Sequence, residues 1–396
     1  MSTPLACRTL LIAWLVCPHS AGLADEPWRR HAIDSSSRGA DGVRVADVNG
    51  DGFSDLTTGW EEGGVIRVYL HPGPQRVRSA WPAVTVGQVK SAEDAVLADI
   101  DGDGSVDVIS CCEGKTRAVF IHWAPRDAQQ YLDPDAWTTT AIPCTQGQQM
   151  WMFSLPMQVD GRHGVDLVVG SKGPQASVSW LAAPANPRDA QDWQLRRIYD
   201  AGWIMSLRAA DFSGDGQLDV LVSDRKGASR GILWLEHPGR DQVFETKVWQ
   251  THRLGGDDRE VMFLDIARPA GDQPLTIFAA VRGRGILSLA APRWQAGEVH
   301  WPENCGTGKG VAVGDVDLNG SPDLVFSCEN ASGSKSGVRW LSRSGGQWGD
   351  HEISGPEGIK FDRLELLDLD RDGDLDVVTC EERANLGVIW YENPTR

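Results

Sequence analysis

Positive charge is scarce in this chain. Lys and Arg number 38 against 55 Asp and Glu, a formal net charge of −17. Nucleic acid needs a dense basic surface that replaces its counterions, so the balance argues against a nucleic-acid partner. The same sign disfavours an anionic membrane surface. Long apolar runs are also missing. The longest, Leu10–Cys17 (LLIAWLVC), is too short to span a bilayer, so no membrane insertion is expected. There is no CxxC pair or histidine spacing suited to zinc, no nucleophile elbow and no dinucleotide fingerprint. Gly306–Gly310 (GTGKG) lacks the full phosphate-loop spacing. No apolar pattern recurs at the helical period of 3.6 residues, which removes the helical fold classes.

What the N-terminus does carry is an export signal. Arg8 supplies the positive start, Leu10–Cys17 the apolar core, and Ala21–Ala24 the small residues for cleavage after Ala24. The expectation is a signal peptide over 1–24 and a secreted or periplasmic remainder over 25–396. Its loss removes Cys7 and Cys17 and leaves Cys111, Cys112, Cys144, Cys305, Cys328 and Cys380. Export permits disulfides among them, with pairing left open. Adjacent Cys111 and Cys112 do not suit one another, since neighbouring Cα atoms lie only about 3.8 Å apart.

From Gly42 to Gly73 the chain reads GVRVADVNGDGFSDLTTGWEEGGVIRVYLHPG. An alternating segment enters an acidic glycine loop, a second apolar segment follows, then a polar turn and a third strand. Period-two alternation of Val, Ile and Tyr predicts strands. The unit occurs seven times. Its first loop position falls at Asp47, Asp99, Gln158, Asp211, Asp265, Asp315 and Asp368, with spacings of 50 to 59 residues. Tryptophan flags a fourth strand at Trp81, Trp137, Trp193, Trp249 and Trp348, and more loosely from Trp294. The last unit lacks this strand, whereas Trp28–Ile33 (WRRHAI) precedes the first. Pairing the two ends closes a ring and removes two sheet edges. The predicted fold is all-β: one seven-bladed β-propeller of four-stranded blades, closed by the N-terminal strand.

The loop Asp99–Asp107 (DIDGDGSVD) places carboxylates at positions 1, 3, 5 and 9 around a glycine turn. Alternating oxygen donors around such a turn suit Ca²⁺, a hard cation that takes six to eight oxygens. A strand follows where an EF-hand would continue to its position-12 glutamate. These units resemble FG-GAP or VCBS repeats, as found in integrin α-chain propellers and in many secreted bacterial proteins, over nearly the whole chain after the leader. The resemblance implies calcium ligands at Asp47, Asn49, Asp51 and Asp55; at Asp99, Asp101, Asp103 and Asp107; and at Asp211, Ser213, Asp215 and Asp219. It implies two more sets at Asp315, Asp317, Asn319 and Asp323, and at Asp368, Asp370, Asp372 and Asp376. The third repeat has Gln158 and Arg162 in ligand positions, and the fifth (DIARPAGDQP) has lost the pattern, so about five structural Ca²⁺ sites are expected.

Propeller geometry sends the loops between second and third strands, and the links between blades, to the face opposite the calcium loops. The sixth residue after the last loop aspartate is Glu61, Glu113, Glu329 and Glu382 in four neighbouring repeats, and Lys172 and Arg225 in two others, with Arg282 close by in the fifth. One arc of the rim is expected to be acidic and the facing arc basic. The links add Glu93, Asp94, Arg259, Glu260, Lys309 and Asp362, among others. Trp60, Trp151 and Trp203 fall near this face and suit stacking on a sugar's C–H surface; a buried aromatic plug in the central channel uses the same residues. The reading is a binding module for a glycan or a protein, with Trp60, Trp151, Trp203, Lys172, Arg225, Arg259 and Arg282 as ligand contacts. The alternative is a carbohydrate lyase or dehydratase, for which Glu61, Glu113, Glu329 and Glu382 are the candidate acids and bases. That alternative follows from resemblance to the propeller repeats of rhamnogalacturonan lyases and aldos-2-ulose dehydratase.

Overall fold

The computed structural model describes residues 26–245, 248–267, 274–283 and 285–396; the expected signal peptide lies outside the described residues. Seven four-stranded antiparallel sheets form the fold. Numbered from the innermost strand, blade I is Ala40–Ala46, Asp55–Trp60, Val65–Tyr69 and Ala83–Gly87, and blade II is Ala92–Ala98, Asp107–Cys112, Ala118–Trp123 and Thr138–Ala141. Blade III is Met150–Met157, Asp166–Lys172, Ser177–Ala182 and Gln194–Asp200; blade IV is Ile204–Ala210, Asp219–Asp224, Gly231–Glu236 and Gln250–Gly255. Blade V is Val261–Ala267, Thr276–Val281, Ile286–Ala290 and Gln295–Val299; blade VI is Thr307–Gly314, Asp323–Glu329, Val338–Ser344 and Gln347–Glu352. Blade VII takes Phe361–Leu367, Asp376–Glu381 and Gly387–Glu392 from the C-terminal end and Arg29–Asp34 from the N-terminal end. His31 stands opposite Trp390 in that closing pair. Each innermost strand touches the next, and that of blade VII touches that of blade I, so the ring is closed.

The core lies between blades. Trp123, Trp180 and Trp390 on third strands are buried, as are Trp81, Trp137 and Trp193 at the outer-strand entries. The outer-strand histidines His31, His252 and His351 stack on Trp390, Trp234 and Trp340 at 4.1 to 4.5 Å, which makes them packing residues. Among the described residues six cysteines are present, five of them buried, and no disulfide is formed. Among the described residues no helix is long and apolar enough to cross a membrane.

Two local devices repeat. The ninth loop aspartate turns inward and joins two strands: Asp107 accepts Ile100 N–H at 3.1 Å on one oxygen and Ala124 N–H at 2.8 Å on the other. Asp55, Asp166, Asp219, Asp323 and Asp376 do the same in their blades. The residue after the third strand then reaches back to the preceding blade. His71, His237 and Asn393 bind the carbonyls of Leu369, Val159 and Val316 at 2.9 to 3.0 Å, so the clamps of blades I, IV and VII are tied to the blade before.

The second device is a register shift near the start of every innermost strand. A bulge leaves one residue without a partner opposite and re-aims its side chain. Glu93, Met152, Met205, Phe263, Lys309 and Asp362 lie at these shifts, and all six line one central cavity.

Candidate functional site

On one face stand the acidic loops. In blade II, Asp99 accepts the N–H groups of Gly102 and Gly104 at 2.8 and 3.0 Å, which curls the loop around it. The turn needs a positive φ at both glycines, 71° and 90°, a conformation costly for other residues. Asp99, Asp101 and Asp107 then bring a carboxylate oxygen each to within 4.8 Å of one another. Asp315, Asp317 and Asp323 in blade VI and Asp368, Asp370 and Asp372 in blade VII form equivalent trios. An all-oxygen donor set of this charge fits a hard divalent cation. Burial, opposed by two backbone N–H groups and reinforced by Asp101, pushes the Asp107 carboxyl up to about 7. Arginines supply part of the counter-charge: Arg188 meets Asp101 at 2.5 Å, Arg126 meets Asp103 at 3.0 Å, and Arg78 pairs with Asp370.

The remaining expected sets differ. Blades I and IV keep the curl, with Asp47 and Asp211 accepting glycine N–H groups, but Asn49 and Ser213 replace a carboxylate and no trio forms there. In blade III the amide of Gln158 donates to the carbonyls of Arg162 and Gly164 at 2.8 and 2.7 Å. The loop is thus closed by a side-chain amide, and no acidic trio forms there. Arg162 does not turn to the loop carboxylates; its guanidinium lies 4.5 Å from the centre of the Phe244 ring.

Residues 47–110 match the FG-GAP-like repeat. That span carries the loops of blades I and II, and the resemblance read from the loops holds there. No curated protein matches the chain. The FG-GAP-like loop has two separable parts in this structure, a clamp aspartate at position nine and an oxygen cradle ahead of it.

On the opposite face the bulged residues and the second-strand ends enclose a cavity of about 400 Å³. Glu61, Glu113, Lys172, Arg225, Arg282 and Glu329 all line it, as the repeat arithmetic requires. Glu382 adjoins it through its pair with Lys360. The second-strand ends keep the acidic run of Glu329, Glu61 and Glu113 and the basic run of Lys172, Arg225 and Arg282, but the residues of the links between blades set an opposite charge against the basic ones. Lys172 pairs with Glu113 and, at 3.3 Å, with Glu93; Arg225 pairs with Glu260 at 2.8 Å; Arg282 bridges Glu260 and Glu329 at 3.4 and 3.2 Å; Lys309 holds Asp362 at 2.9 Å. Opposite charges interleave because like charges crowded into one partly buried funnel would repel strongly. Burial works against the Lys309 charge, but Asp362 and Asp41 together hold its pKa up.

Two of the three expected ligand tryptophans are elsewhere. Trp60 is fully buried between blades VII and I, its indole N–H donating to the Tyr69 hydroxyl at 2.9 Å. Trp151 is fully buried between blades II and III and donates to the Thr145 carbonyl at 3.0 Å. Both sides of their strands are covered by neighbouring blades, so neither presents a ring to a ligand. Arg259 is also displaced from the cavity, pairing with Glu298 at 3.1 Å. Trp203 does line the cavity. Asp224 fixes it by accepting the Trp203 and Gly202 N–H groups at 2.8 and 2.9 Å. Lys172, Arg225 and Lys226 surround its ring at 4.5 to 4.7 Å.

Sequence reasoning missed Asp41 and Lys360. The signal for Asp41 was present: it precedes the first loop position by six residues, as do Glu93, Lys309 and Asp362 in their blades. Burial first, then Asp362 and Glu93, raises the Asp41 carboxyl well above the carboxylate range. Burial also drives Glu93 to about 8, with Lys172 pulling down and Glu113 and Glu61 pushing up.

Proposed function

We propose that the chain is an exported binding module whose central funnel takes a polar glycan, while calcium in the FG-GAP-like loops of blades I, II, IV, VI and VII stiffens the opposite face. The observation that carries the reading is Trp203: one partly buried indole inside a charged cavity, ringed by three cations. A flat ring takes the C–H face of a sugar, and the charged groups around it take hydroxyls and carboxylates. A pyranose carrying a carboxylate fits best, because the Lys226 ammonium lies exposed beside the ring. In the loops, calcium supplies the positive charge that relieves repulsion among the clustered carboxylates.

The test is retention of acidic and neutral glycans on the immobilised protein, with the masses of the recovered sugars read in parallel. Acidic glycan retained intact, and retention weakened at least tenfold by Trp203→Ala, is the expected outcome. Equal retention by the variant would remove Trp203 from the site. A product lighter by one water would make the funnel a lyase or dehydratase centre instead.

A further inference from the structure

The funnel's charges pair off almost completely; among the described residues the lining charges without an ion pair are Asp41 and Glu61 of blade I and Arg383 of blade VII. Lys172, Arg225, Arg282, Lys309 and Lys360 each hold a carboxylate. Among the described residues no hydrogen bond or ion pair reaches the carboxylates of Asp41 or Glu61. Asp41 is only 6% exposed and lines the cavity. Lys309 and Lys360 act on Asp41 only through space, and a buried carboxylate that accepts no hydrogen bond is costly. Glu93 stands beside these two at the bulge of blade II, and Lys172 reaches it through Oε1 alone. One carboxylate oxygen from each of Asp41, Glu61 and Glu93 lies within 4.8 Å of the others.

We propose that Asp41, Glu61 and Glu93 bind a divalent metal cation at the funnel floor, on the face opposite the FG-GAP-like loops. The three donors are hard oxygens from two blades. Water or a ligand oxygen from the open side of the cavity would complete the shell, as is usual for Mg²⁺, Mn²⁺ and Ca²⁺. The cation satisfies the two carboxylates left over from the rim pairing. It also gives the funnel a second anchor for an anionic or hydroxyl-bearing ligand, linked to Trp203 through Lys172, which meets Glu93 at 3.3 Å and lies 4.7 Å from the centre of the indole ring. The site stands on the rim geometry and does not depend on glycan being the ligand.

Mn²⁺ is the probe. Equilibrium dialysis of the full chain counts bound Mn²⁺ per molecule for the wild type, for Asp41→Asn/Glu61→Gln, and for Asp99→Asn/Asp101→Asn as a loop control. The funnel variant is expected to bind one Mn²⁺ fewer than wild type while keeping the ions that the loop variant loses. Removing both pairs together should lower the count by the sum of the two losses. An unchanged count in the funnel variant overturns the proposal. Should the double variant melt differently from wild type, Glu61→Gln alone, at a half-buried position, must still weaken one equivalent at least tenfold. Glycan retained with an unchanged Mn²⁺ count would reject the metal site and keep the binding module. One equivalent lost with no glycan retained by either protein would do the reverse.

Discussion

The loops of blades II and III share one clamp and differ in what the clamp supports. Asp107 and Asp166 each accept two buried backbone N–H groups, one from the loop and one from beyond the third strand, at 2.8 to 3.1 Å. Ahead of the clamp, blade II gathers Asp99 and Asp101 against Asp107, whereas blade III closes its loop with the Gln158 amide on two carbonyls. Blade III therefore keeps the clamp without an acidic trio. The comparison separates the clamp, which both loops share, from the carboxylate cluster, which only blade II gathers. Blade III remains a blade without an acidic trio, its loop closed by the Gln158 amide on the Arg162 and Gly164 carbonyls.

Metal removal breaks the comparison most strongly. Calcium at a hundred times its dissociation constant stabilises the folded state by about 2.7 kcal/mol per occupied loop. Excess chelator should lower the melting temperature by many degrees, measured by circular dichroism. An unchanged melt would reduce all the loops to the condition of blade III. Next in size is the clamp. Asp107→Ala and Asp166→Ala each strand two buried N–H groups and should each cost about 3 kcal/mol in urea unfolding. Only the first should also lower the bound-metal count. If Asp166→Ala were benign, the clamp would owe its place to the cation and the two roles would not be separable. The smallest effect sharpens the difference directly. Gln158→Asp should raise the metal count by one, and in chelator should destabilise by about 1 kcal/mol through lost amide hydrogen bonds.

The funnel face was less legible than the loop face, for a reason visible in particular residues. The spacing of six from the last loop aspartate correctly sent Glu61, Glu113, Lys172, Arg225 and Glu329 to the cavity, because it counts along a single regular strand. The tryptophans resisted the same arithmetic. Trp60 is one residue before Glu61, and in a strand that single step turns the side chain from the funnel to the interblade core. Trp151 is one residue before the bulged Met152, and the bulge decides which of the two faces the cavity. Arg259 sits just ahead of the blade V shift between Val261 and Leu264, where Phe263 takes the funnel position instead.

The sequence by itself determined seven repeated units, four strands in each, the borrowed N-terminal strand that closes blade VII, and the acidic loops after the innermost strands. These are local matters: alternation, glycine turns and carboxylate spacing act over a few residues, and the repeat multiplies each signal sevenfold. The tertiary structure alone decided which tryptophan reaches the funnel, how the rim charges pair, and that Asp41 and Glu61 are left over. Those outcomes join residues from different blades, such as Lys172 with Glu93 and Arg282 with Glu329. They depend on the bulges and on ring closure, which bring together side chains that no spacing along the chain relates.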